Sequence, residues 1–489
     1  MKEAGVLLHI SSLPGKYGVG SLGQCAYDFV DFLSASGQKI WQILPLGPTS
    51  FGDSPYSSTS AFAYNPYFID LDLLVKDKLI EKEDLPEPFL ANRVNYNYLK
   101  ETRFPILHKA FLNYKLYEKE FDEYCKKNDY WLDDYAMFMT IKEWMDDKPW
   151  SEWYDNERTR RAESLKWLKE DFRPERVKEF KFYNFLFYKQ FIKLKKYANK
   201  KGILIMGDMP IYCAYDSSDV WANPKYFKLN PDLTPKAVAG CPPDFFSSDG
   251  QLWGNPLYDW DYMKKDKYSF WVKRVKHSFE LLDILRIDHF RGFAGYYSIP
   301  YGDTTARNGS WLKGPGYDLF KVINKEIPNA RIVAENLGFL TKDVFKLLDK
   351  CNYPGMCIFQ FELGDGKKNV PLKKGFKPNN VFYTGTHDNQ TITSFYYQQP
   401  ENYKKIIDNL CNIKFYDRPN LKICEFAMKT DCDMVIIPIQ DYLGLPDDSG
   451  RMNLPSTVSN SNWSYISKKS DYTKELSAFI KKITEEGGR

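Results

Sequence analysis

The chain has 489 residues, 43% of them hydrophobic, which is enough for a sizeable core and more than one small domain needs. Its 68 basic residues nearly balance 64 acidic ones, and the net +4 is spread along the sequence, which argues against a nucleic-acid or membrane-surface partner. No stretch approaches the roughly 18 apolar residues of a membrane span, and the apolar run in the opening MKEAGVLLHISSLPG is too short for a signal peptide. Nine cysteines, an odd number without a CxxC pair, read as reduced thiols of a soluble cytoplasmic protein. With 12 Trp, 35 Tyr and 34 Phe the chain is rich in rings that suit stacking on sugars, although core packing accounts for most of them.

In chain order, residues 5–10 (GVLLHI) form the first candidate strand, ending at polar His9 and the Gly/Pro-rich SSLPGKYGVGSLG. A helix follows from Gln24, with Ala26, Phe29, Val30 and Leu33 at helical spacing and a stop at Gly37. Residues 40–46 (IWQILPL) are the second strand, and the loop GPTSFGDSPYSSTSAFAYNPYF after it holds too many turn formers to be a mere linker. From about residue 71 to 200 the sequence turns rich in Lys, Glu, Leu and aromatics without strand-like runs. It reads as a mainly helical insertion dividing a first part, 1–70, from a remainder, 201–489. Residues 202–212 (GILIMGDMPIY) resume the strand pattern and deliver Asp208. An irregular loop, CPPDFFSSDGQLWGNPLYDW, and a helix over 261–281 lead into 282–292 (LDILRIDHFRG). Further buried runs lie at 331–338 (RIVAENLG), 356–363 (MCIFQFEL), 381–388 (VFYTGTHD) and 434–443 (MVIIPIQDYL). Eight such runs, most followed by helical pattern, predict a (β/α)₈ TIM barrel with a helical insertion between the second and third strands. A doubly wound open sheet is the alternative.

Polar groups collect at the carboxyl ends of these runs, where barrel enzymes place their chemistry: His9, Asp208, Asp288, Glu335, His387 and Asp388. Three of the five histidines (9, 289 and 387) fall at or just past such ends. That placement admits a metal site, but no HExxH or paired histidine spacing supports one. Carboxylates on separate strands fit acetal cleavage, which needs one acid to protonate the leaving oxygen and another against the cationic carbon. Asp288, two residues from Arg286, reads as the ionised partner; a structural ion pair at a strand end is the alternative. Glu335, with no adjacent cation, reads as the proton donor, or else as a helix cap. Asp388 with His387 reads as a binder of sugar hydroxyls, or as an N-cap.

Several motifs resemble those of the amylomaltase family, the 4-α-glucanotransferases of the α-amylase superfamily. They are SSLPGKYGVGSLG, WQILPLGPTSFGDSPYSSTSAFAYNPY, DMPIYCAYDSSDVW, PPDFFSSDGQLWGNPLYDW, LRIDHFRGF, AENLG, YTGTHDNQT, QDYLGL and RMNLPSTVSNSNW, spread over about residues 5–465. The resemblance implies Asp288 as nucleophile, Glu335 as acid/base and Asp388 as the carboxylate that holds and distorts the sugar. It implies that Arg286, His387 and Asp208 surround the same sugar, and that Tyr56, Trp253 and the loop 242–250 meet neighbouring glucose units. His289, Asn389, Asp244 and Asn453 complete the implied substrate-binding set. The implied activity is retaining transfer of an α-1,4-glucan segment to the 4-hydroxyl of another glucan or glucose, without metal or other cofactor. The implied partners are α-1,4-glucans and maltooligosaccharides, and the motifs do not specify an oligomeric state. A hydrolase would use the same carboxylates, and a non-catalytic glucan binder would need neither Asp288 nor Glu335. Three positions depart from the family pattern: Asn336 where Asp is usual, Gln390 where an acid is common, and Ser456 in place of the glycine of RMNxPG.

Overall fold

Each of the eight apolar runs overlaps a strand, and each strand is shorter than its run. The computed structural model describes residues 2–243, 248–338, 340–363 and 377–489. Twelve strands among these residues form two sheets. The larger takes β1 (Glu3–Leu7), β2 (Ile40–Gln42), β3 (Leu204–Met209), β6 (Ile284–Ile287), β9 (Ile332–Ala334), β10 (Gly355–Ile358), β11 (Asn380–Tyr383) and β12 (Met434–Pro438). The smaller takes β4 (Ala237–Cys241), β5 (Gln251–Pro256), β7 (Gly295–Pro300) and β8 (Ser310–Lys313).

In the larger sheet every pairing is parallel and neighbours follow chain order, β1 through β3, β6 and β9, with β10, β11 and β12 returning to β1. An open doubly wound sheet would reverse its order at a switch point, so the arrangement is the (β/α)₈ barrel. The seam lies between β9 and β10. The Ala334 N–H donates to the Pro354 carbonyl at 2.8 Å, and Asn336 Oδ1 accepts from the Met356 N–H at 2.6 Å. Asn336, one of the three departures, thus stands in for a ladder bond, an acceptor role that an aspartate could also fill.

The runs overshoot the strands because apolarity reports burial, which the ensuing turns share. Apolarity continues the strand pattern through 359–363 and 439–443, yet Phe359–Glu362 and Ile439–Leu443 are helical. Inside the barrel the layers are tight. A Cβ on Gly5 would lie 2.4 Å from the Ile40 carbonyl oxygen and 2.8 Å from Ile436 Cδ1, so β1 needs glycine there. Outside, helix Gln24–Ala35 buries Ala26, Phe29, Val30 and Leu33, and Gly37 follows with φ 71°. Each such Val, Leu or Phe contributes about 1.5–3 kcal/mol of transfer free energy.

The connection from β2 to β3 is built of helices, among them Tyr96–Leu112, Glu118–Lys127, Asp129–Trp144 and Pro174–Lys200. The last buries Phe180, Phe182, Phe185, Phe187, Phe191 and Leu194, and it contacts Asp129–Trp144 as well as β3 and Gln24–Ala35. The expected single helix over 261–281 is two, Trp260–Lys265 and Ser269–Leu281, broken where Tyr268 takes φ 54°. The smaller sheet, antiparallel in the order β5-β4-β7-β8, was not anticipated. Only β5 lies inside the stretch that reads as irregular loop; β4 and β5 fall between β3 and β6, with β7 and β8 between β6 and β9. Among the described residues no helix is long and apolar enough to cross a membrane.

Candidate active site

A buried arginine organises the carboxyl end of the barrel. Arg286 projects from β6 with a side chain only 4% exposed, and a lone guanidinium there would be costly. Its Nη1 pairs with Asp208 from β3, its Nη2 lies 3.1 Å from Asp288 Oδ1, and its Nε reaches Met356 Sδ at 3.4 Å. Asp288 is the first residue beyond β6; its backbone N–H is tied to the Met209 carbonyl at 3.0 Å. The chain then turns at His289, whose φ is 49°, a left-handed conformation that costs a non-glycine residue about 1–3 kcal/mol. Glu335 follows β9 directly. Its carboxylate accepts from the backbone N–H of His289 at 2.7 Å and of Leu337 at 2.6 Å.

The two acids do not divide as simply as their sequence neighbours suggest. Burial pushes the Asp288 carboxyl up to about 7 against the pull of Arg286, and the negative charges of Asp208 and Glu335 add to the rise. Burial also raises Glu335, opposed by Arg286 and by the two backbone N–H groups, which favour its ionised form. Burial thus pushes both carboxyls toward their protonated forms. Among the described residues, Arg286 bonds Asp288 and no cation bonds Glu335. That guanidinium and the 29% of the Asp288 side chain that is exposed both favour its ionised form.

Opposite them, the loop after β11 carries His387 and Asp388. His387 Nε2 lies 3.4 Å from Asp388 Oδ2, and Asn453 Nδ2 donates to Asp388 Oδ1 at 2.7 Å. Burial disfavours a charged imidazole at His387, yet the Asp388 carboxylate outweighs it and holds the pKa above its ordinary value. For Asp388 burial is likewise overcome, chiefly by His387, and the carboxyl falls to about 2, so it stays ionised with its side chain 48% exposed to the cleft.

Tyr56, from the loop after β2, closes the circle: its hydroxyl donates to Asp208 Oδ2 at 2.6 Å and its ring stacks on His387 at 5.0 Å. Trp253 on β5 meets His289 edge-on at 4.8 Å and is 36% exposed, which sets a flat ring at the cleft rim. His289 itself is neutral, its pKa pushed by burial down to about 3, and its Nε2 has no hydrogen-bond partner among the described residues. Asn389 uses its side-chain oxygen on Thr386, accepting from N–H at 2.9 Å and from Oγ1 at 2.8 Å, so it shapes the turn that presents His387. Asp244 lies outside the described residues. His9 is buried and neutral, lowered by burial to about 3, and its Nδ1 accepts the Leu44 N–H at 3.2 Å. It braces the loop behind the site.

Trp463, outside the strand-end pattern, also lines the site. Its ring centroid is 5.8 Å from both Tyr56 and His387, making it the back wall of that stack. The tryptophan closing RMNLPSTVSNSNW was the available signal. Ser456, the departure in the same segment, takes φ 63°, a conformation that explains why glycine suits the position. Gln390, the remaining departure, donates through Nε2 to Gln398 Oε1 at 2.6 Å and to Asp447 Oδ2 at 3.3 Å.

Comparison with known proteins bears on the chain as a whole. A family model described as 4-alpha-glucanotransferase matches residues 8–470. The chain is 44% identical to a 4-alpha-glucanotransferase of Clostridium butyricum, covering 99% of this chain and 100% of that one. It is 41% identical to that of Aquifex aeolicus, with 100% of each covered. Among solved structures, the amylomaltase from Streptococcus agalactiae in complex with acarbose superposes with a TM-score of 0.95 at 40% identity, with 100% of each chain covered. An amylomaltase from Corynebacterium glutamicum, 16% identical, shares the fold with a TM-score of 0.78 over 99% of this chain and 75% of that one. With a barrel whose strand ends gather these carboxylates, a family model spanning most of its length and full-length relatives above 40% identity, the chain belongs to the 4-alpha-glucanotransferase family.

Proposed function

We propose that this transferase cuts an α-1,4-glucan, holds the donor segment on Asp288, and passes it to the 4-hydroxyl of a second glucan or of glucose. The observation that carries the reading is Arg286, buried between Asp208 and Asp288 with Glu335 on the adjoining strand end. Protonated Glu335 gives its proton to the glycosidic oxygen while ionised Asp288 bonds the anomeric carbon. The same Glu335, now a base, deprotonates the incoming 4-hydroxyl, and that sugar displaces Asp288 with overall retention. Asp388, ionised beside His387, takes hydroxyls of the sugar whose ring must distort on the way to the cationic transition state. Tyr56 and Trp253 supply stacking faces, and Arg286 supplies the positive charge between Asp208 and Asp288.

The test is incubation with maltotriose. Glucose together with oligomers longer than three units is the expected result; only shorter products would mean that water takes the place of the acceptor sugar. Two carboxylates suffice for this chemistry, so dialysis against a chelator is expected to leave the transfer rate unchanged. A loss restored by a divalent ion would overturn the metal-independent reading. A cytoplasmic location is supported by the nine cysteines without a CxxC pair.

A further inference from the structure

Segment 440–453, which runs from the QDYLGL motif to RMN, sends several side chains to the loop that bears Asp388. That loop is pinned at both ends. Asp441 accepts from Thr384 Oγ1 at 2.5 Å at its start and from the Ile392 N–H at 2.8 Å just past its end. Asp447 accepts from the Thr391 N–H at 2.8 Å and from Gln390 Nε2 at 3.3 Å. Arg451 binds the assembly together with three nitrogens, each on a different piece. Nη1 meets Asp447 Oδ2 at 3.1 Å, Nε donates to the Asn453 carbonyl at 2.9 Å, and Nη2 donates to the Asp388 carbonyl at 3.3 Å. Asn453 in turn holds Asp388 Oδ1 at 2.7 Å.

We propose that Arg451 is a positioning residue for Asp388, fixing both its backbone and the amide that orients its carboxylate. The proposal rests on the reading that Asp388 acts on the sugar. A carboxylate 48% exposed on a loop has rotational freedom to lose, and an ion pair at 3.4 Å to His387 does not by itself set its direction. The rigid, planar fork of a guanidinium fixes the relative placement of three acceptors. A lysine, with a single nitrogen on a flexible stem, cannot do so while keeping the charge beside Asp447. The guanidinium nitrogens of Arg451 are spent on Asp447, Asn453 and Asp388, so the influence argued for it runs through Asp388 and Asn453.

The experiment is a double-mutant cycle on maltotriose disproportionation, with kcat and KM measured for Arg451→Lys, Asp388→Asn and the pair. Arg451→Lys alone is expected to lower kcat by about ten-fold or more, the scale of a lost charge-assisted hydrogen bond, with a smaller change in KM. In the Asp388→Asn background the same substitution is expected to cost less than about two-fold, because the group it positions is already disabled. Equal losses in both backgrounds would mean a general structural role and would overturn the proposal, as would an unchanged kcat for Arg451→Lys. An unchanged kcat for Asp388→Asn would instead remove the reading of Asp388, and the proposal with it. Should Arg451→Lys not fold, Arg451→Gln, which keeps an amide donor but loses the three-pronged fork, runs the same cycle with the same expected non-additivity.

Discussion

Asp288→Ala is expected to lower both transfer and hydrolysis by on the order of 10⁴-fold or more, the range seen when a covalent nucleophile is deleted. Glucan binding should survive, because Asp208, Asp388, Tyr56 and Trp253 are untouched. The fold should survive as well. Arg286 would lose the Asp288 contact at 3.1 Å but keep Asp208 and Met356, so its buried charge remains paired. Calorimetry with maltotetraose and a thermal melt separate these outcomes from misfolding. Retention of more than about a tenth of the wild-type rate with the fold intact would exclude Asp288 as nucleophile.

Glu335→Gln is expected to trap the reaction half-way. An α-glucosyl fluoride carries a leaving group that departs with little protonation, so Asp288 can still be glycosylated without the acid. The second half then stalls, since the amide cannot deprotonate an acceptor hydroxyl. Mass spectrometry should find one hexose added to the peptide containing Asp288. The substitution also tests the local geometry. Glu335 uses both oxygens to accept backbone N–H groups, from His289 and Leu337, and an amide can satisfy only one of them as acceptor. Setting an NH₂ against the other N–H should cost about 1–3 kcal/mol of stability. An adduct on Asp388 or Asp208 would reassign the nucleophile while leaving the transferase activity in place.

The carboxylates were legible because charged residues interrupt otherwise apolar runs. In 282–292 the strand residues are uniformly buried, so Arg286 and Asp288 stand out as groups that need partners. Which partners was not legible. Proximity in the chain pointed to Arg286 and Asp288 as a simple ion pair that would hold the acid ionised. The folded site adds Asp208, the shorter contact to that arginine, and the neighbouring charge of Glu335, which together with burial raise Asp288 to about 7. Charge interactions act through space, and the relevant neighbours lie 80 and 47 residues away in the chain.

The sequence by itself determined the number and order of the barrel strands. A parallel strand buried on both faces must be apolar, and eight such runs separated by helical pattern leave little freedom in architecture. It also determined which strand ends carry acids. The tertiary structure alone decided where the ring closes, with Asn336 bridging β9 to β10, and how short the strands are. It decided that a second sheet carries Trp253 to the cleft, that Trp463 backs Tyr56 and His387, and that Arg451 reaches the Asp388 carbonyl. Periodicity records how buried each residue is, one element at a time. Contacts between side chains hundreds of residues apart depend on how the elements are assembled, and local pattern holds no record of that.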